Sequence, residues 1–152
     1  MAEKYCTRVA SVASGTNKTL INLYHSGATP TCRGRIYDLV VGSAATPADQ
    51  AADFLLGRST AKGTGTALTP NNLDPGGPAG EIGSDHSHSA EPTYTSSKQL
   101  LAFQLNQRAT FRWVAAPGSE LVMTASQNNG AGIQTVTSTS TQAYGCTMLF
   151  EE

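Results

Sequence analysis

Apolar residues recur at every second position in several short windows and at helical spacing in almost none. Tyr144, Cys146, Met148 and Phe150 alternate with Gly145, Thr147 and Leu149. Leu101, Phe103 and Leu105 share one side of "LLAFQLN", and Phe111 and Trp113 share one side of "ATFRWVA", with Arg112 on the other. In "GRIYDLVVG", Tyr37, Leu39 and Val41 stand against Arg35 and Asp38. Period two in β-branched and aromatic stretches predicts half-buried strands. Windows at about residues 5–12, 19–25, 53–60 and 120–125 bring the expected count to eight.

Turn chemistry separates the windows. "LNQRA" and "AAPGSEL", the latter with Pro117-Gly118, predict short turns, so residues 99–125 read as adjacent antiparallel strands. One helical turn is expected at "TPADQAAD", with Thr46 as cap, Pro47 in the first helical position and Asp49 at the positive end of the dipole. Ten of the thirty residues 63–92 are Gly or Pro, and only Leu68, Leu73 and Ile82 among them are large and apolar. That composition predicts a long Gly/Pro-rich loop or arm at about residues 61–97, free to fold onto a neighbour.

Eight short strands and one long crossover predict an all-β fold. The expected architecture is a single domain over residues 1–152, an antiparallel two-sheet sandwich of the eight-stranded jelly-roll type. A general Greek-key sandwich is the alternative.

Composition narrows the function classes. Charged residues make up 14% of the chain, and 10 Lys plus Arg nearly balance 11 Asp plus Glu. No basic field exists to hold a nucleic-acid backbone. No window approaches the ~18 apolar residues of a membrane span, and "MAEKYCTRVA" carries no secretion signal, so synthesis in a cytoplasm is expected. A surface of Ser, Thr, Asn, Gln and Gly suits packing against other protein copies, because few charges must be desolvated. Cys6, Cys32 and Cys146 show no C-x-x-C spacing and read as free thiols, although Cys6 and Cys146 could meet between terminal strands.

Candidate chemistry centres on "GSDHSHSAEP". In an extended segment His86 and His88 point to the same side, and Glu91 follows, as in the H-x-H…E row of cupin metal enzymes. The spacing to Glu91 is short for that family, the flanks do not read as strand, and His25 in "LYHSG" lacks a second cupin motif. His86 and His88 are therefore weak metal candidates, solvated loop histidines are the expectation, and no metal, cofactor or catalytic residue is assigned. "AKGTGTAL" lacks the phosphate-loop pattern, and no serine sits in a G-x-S-x-G elbow. Trp113 could stack on a sugar in a carbohydrate-binding module, but its spacing beside Phe111 predicts core. Asp38 is expected on an exposed polar face.

"GSAATPADQAADFLL", "TALTPNNLDPGG", "SAEPTYT", "LNQRATFRWVAAPGSELVM" and the closing "CTMLFEE" resemble a group of small virion proteins of tailed bacteriophages. The resemblance runs from about residue 34 to the end, and is most specific around Arg108, Trp113, Pro117 and Gly118. It implies a non-enzymatic role on the capsid surface: a head decoration or cement protein, with a jelly-roll fold, acting as a homotrimer on the major capsid protein. It assigns no role to individual residues.

Overall fold

The computed structural model describes residues 2–136 and 142–152. Its strands are β1 (Lys4–Ala13), β2 (Lys18–His25), β3 (Arg35–Ser43), β4 (Ala51–Ala61), β5 (Thr64–Leu68), β6 (Asn71–Asn72), β7 (Ile82–Ala90), β8 (Thr93–Asn106), β9 (Phe111–Val114), β10 (Leu121–Val122), β11 (Gly130–Thr135) and β12 (Ala143–Glu151). The described residues contain no helix. At "TPADQAAD" the Ala48 amide is instead taken by the Gln107 side chain at 3.1 Å, and Ala51 already begins β4. An isolated helical turn nucleates poorly, and pairing with two neighbouring strands satisfies the backbone of β4 better.

One sheet has the order β10-β3-β12-β1-β6, with β9 also paired to β3; the other runs β5-β7-β2-β11-β4-β8. All ladder pairings are antiparallel. Without β5, β6 and β7, the chain changes sheet at each step from β1 to β4, and again from β8 through β9 and β11 to β12. Two interleaved four-strand sets of this kind are a jelly roll. The expected fold is therefore observed, with two changes inside it. The eighth core strand is β11, while the 120–125 window yields only the two-residue β10 beside β3. Strands β8 and β9 are not partners: the chain crosses between sheets after Asn106, and the rings of Phe103 and Phe111 stack across the core at 3.8 Å.

The core lies between the sheets. Tyr144, Cys146, Met148 and Phe150 of β12 are all buried there, as their alternation predicts, against Phe54, Leu56, Leu39 and Val41. Each such side chain contributes about 1.5–3 kcal/mol by leaving water. In β3 the register slips opposite Leu149 and Phe150, so Ile36 faces inward and Tyr37 is the extra residue, lying beneath the Lys4 ammonium. That bulge removes Tyr37 from the core row in which its spacing placed it.

Residues 61–97 are not a free loop. β7 pairs with β2 and β5 with β7, extending one sheet, while β6 pairs with β1 and extends the other. The segment thus covers the same edge of both sheets, where Thr7 and Ser84 join hydroxyls at 2.7 Å. Apart from Gly65 in β5 and Gly83 in β7, its Gly and Pro residues lie between strands, in turns such as 74–77, where the Gly77 amide bonds the Asp74 carbonyl. They punctuate short strands, which is why composition alone resembled a flexible arm.

Candidate functional site

The two alternating histidines lie on β7, in a strand and not in a loop. Ser87 between them has φ 49°, a left-handed kink that breaks simple alternation. His88 is buried, with Nε2 2.8 Å from Asp85 Oδ1, whereas His86 is more accessible and its Nδ1 meets Ser87 Oγ at 2.8 Å. Glu91 accepts bonds from Lys18 Nζ at 2.8 Å and from the Thr19 amide at 2.9 Å. Each member of the H-x-H…E row therefore has its own local partner, and the three do not form a shared ligand set among the described residues.

Other singled-out residues also find structural roles. Asp38 is buried, not exposed, and its carboxylate accepts a forked pair of bonds from Arg112, at 3.1 Å from Nε and 2.6 Å from Nη2. Trp113 is half-buried against the core. Cys6 and Cys146 are both free: Cys146 points into the core opposite Val9, while Cys6 sits opposite Leu149 and is only partly buried.

A different set converges at one end of the sandwich. His25 ends β2, Cys32 lies in the β2–β3 connection and Glu81 precedes β7; their ligand atoms all lie within 4.8 Å of one another. Glu152, just after β12, borders the set: its carboxylate accepts the amides of Glu81 at 2.8 Å and Ile82 at 3.1 Å, and lies 3.9 Å from Cys32 Sγ. Glu81 is held by the Thr31 amide at 2.9 Å and the Thr31 hydroxyl at 2.6 Å, which lower its pKa. Burial, reinforced by the charges of Glu152 and Glu81, pushes the Cys32 thiol up to about 11. Burial also lowers the pKa of His25 and so favours a neutral imidazole. Its ring is fully buried, yet neither nitrogen has a hydrogen-bond partner.

No local motif announces this set. Cys32 and Glu81 are 49 residues apart, and only the pairing of β7 with β2 brings Glu81 to the end of the strand that carries His25.

The outer face of the β3–β12–β1 sheet is the second feature. Ala10, Val40, Gly42, Thr110, Gly145 and Thr147 line a shallow open depression of about 300 Å³, with Arg8 also at its lining. Small residues are enforced at its centre: a side chain on Gly145 would bring Cβ to 2.8 Å from the Ala10 carbonyl oxygen. No protein-family model, no curated protein and no solved structure matches this chain.

Proposed function

We propose that this chain is a non-catalytic structural protein of a tailed-phage virion, a head decoration or cement subunit that acts as a homotrimer and bridges major capsid protein subunits. The observation that carries the reading is the shallow depression on the outer face of the β3–β12–β1 sheet, floored by Gly42 and Gly145 and lined by small residues, with Arg8 its one charged lining residue. Such a face is brought against another protein with little desolvation cost. The jelly-roll topology and the resemblance of residues 34–152 to phage virion proteins support the same reading. Many weak copies of one contact, repeated by symmetry, would hold a shell through avidity.

The test is binding of the purified protein to phage heads that lack it. Sedimentation should give a trimer, the protein should pellet with heads and not with DNA, and decorated heads should withstand heating better than bare ones. Thr147→Glu, which places a charge in the depression without entering the core, should keep the fold and lose head binding. Equal heat resistance of bare and decorated heads would overturn the cement role.

A further inference from the structure

We propose that His25, Cys32 and Glu81 form a structural zinc site, whose fourth position a water or a shift of the neighbouring Glu152 carboxylate would fill. The ligand types are those of protein zinc sites: an imidazole nitrogen, a thiolate sulfur and carboxylate oxygens. A tetrahedral ion with bonds of about 2.0–2.3 Å separates its ligand atoms by about 3.3–3.8 Å. The three atoms already lie within 4.8 Å of one another, and Cys32 Sγ lies 3.7 Å and 3.9 Å from the carboxylates of Glu81 and Glu152.

His25 supplies the independent observation. Leaving a buried polar group unpartnered costs about 1–3 kcal/mol, and His25 is the one described residue with two such side-chain atoms. A metal bond to either nitrogen uses a lone pair that the protein leaves idle. The imidazole coordinates without losing a proton, and Cys32 releases its thiol proton to solvent as the sulfur–zinc bond forms. Thr31 acts as an outer partner that orients the Glu81 carboxylate, an arrangement typical of ligating carboxylates. The cation would also offset the repulsion between two carboxylates held close to one thiol. Bound there, it ties the end of β2, the β2–β3 connection and the start of β7 into one corner.

The site is independent of the virion reading, since head binding and zinc binding are measured separately on the same chain. The experiment uses untagged full-length protein stripped with a chelator and titrated with Zn²⁺ or Co²⁺. Expected results are one Zn²⁺ per chain, a cobalt–thiolate charge-transfer band with tetrahedral d–d absorption, and a higher melting temperature. Zinc should also slow alkylation of Cys32 at least about tenfold while leaving Cys6 unchanged. Cys32→Ser and Glu81→Gln should each weaken zinc binding by about 100-fold. If a variant fails to fold, the cobalt spectrum and the alkylation contrast on the unmutated protein still decide. A folded protein without stoichiometric zinc, without the charge-transfer band or with Cys32 equally reactive in both states overturns the site; so does zinc affinity unchanged in folded Cys32→Ser.

Discussion

The Tyr94 hydroxyl lies 2.9 Å from the Thr19 hydroxyl, although β8 and β2 are separated by two intervening strands. The phenol reaches Thr19 along a lane on the outer face of the sheet that two glycines keep open. A Cβ on Gly57 would come to 3.3 Å from the Tyr94 ring, and one on Gly132 to 2.4 Å from its hydroxyl oxygen. One aromatic side chain thereby roofs β4 and β11, and burial raises its pKa.

Gly132→Ala should therefore cost about 1–3 kcal/mol by overpacking, and Tyr94→Phe about 1 kcal/mol through the lost hydrogen bond. The double variant should cost less than the sum, because Phe withdraws the atom that meets the new methyl group. Denaturant unfolding of the four proteins in a double-mutant cycle measures this coupling. Strictly additive costs would show that the lane has no such role.

The two histidines of β7 should behave oppositely. His86→Ala should change stability by no more than about 0.5 kcal/mol, as for other accessible positions. His88→Ala removes a buried ring and strips buried Asp85 of its partner, at a cost of about 2–4 kcal/mol. Thermal unfolding of the single variants checks the contrast, and equal effects would contradict the assigned geometry.

Acid should act partly through Glu91. Burial alone would raise its pKa, but the bonds from Lys18 and Thr19 outweigh that and hold it below the ordinary 4.5. A carboxyl whose pKa is depressed on folding stabilises the native state above its unfolded pKa, and that stability is lost as pH falls through the folded value. Glu91→Gln should thus flatten the fall in stability below about pH 4.5. At neutral pH it should cost less than about 1 kcal/mol, because both partners are partly exposed and screened. Unfolding midpoints from pH 3 to 7 test this; parallel curves for the two proteins would remove Glu91 from the acid response.

The Asp38–Arg112 fork joins a buried carboxylate to an arginine whose side chain is 63% exposed. Arg112→Ala strips the buried carboxylate of its partner and should cost about 1–3 kcal/mol, while Asp38→Leu leaves only a solvated arginine behind and should be close to neutral. A loss of several kcal/mol in Asp38→Leu, read by chemical denaturation, would mean that Asp38 serves something other than this pair.

Much of the fold was legible because alternation is a local property. The row Tyr144, Cys146, Met148 and Phe150 could bury itself only as a strand, and it does. Strand β11 was missed because "GAGIQT" has two glycines and no row of large side chains. It is nevertheless buried along its whole length, with β2 on one side and β4 on the other. Gly130 is there because a Cβ would come to 1.7 Å from the Leu23 carbonyl oxygen, a demand set by a neighbour over a hundred positions away in the chain. Asp38 was misplaced for a related reason: its partner Arg112 belongs to another strand.

Backbone sterics and side-chain periodicity act over a few residues, so all-β character, most strands and the apolar row of β12 followed from the amino-acid order. Which strands become neighbours depends on closing two sheets over one core, a long-range condition that no short window carries. That closure put Glu81 beside His25, sent the 61–97 segment onto two sheet edges and separated β8 from β9. The corner of mixed ligands and the small-residue depression on the outer face are consequences of topology, and only the folded chain contains them.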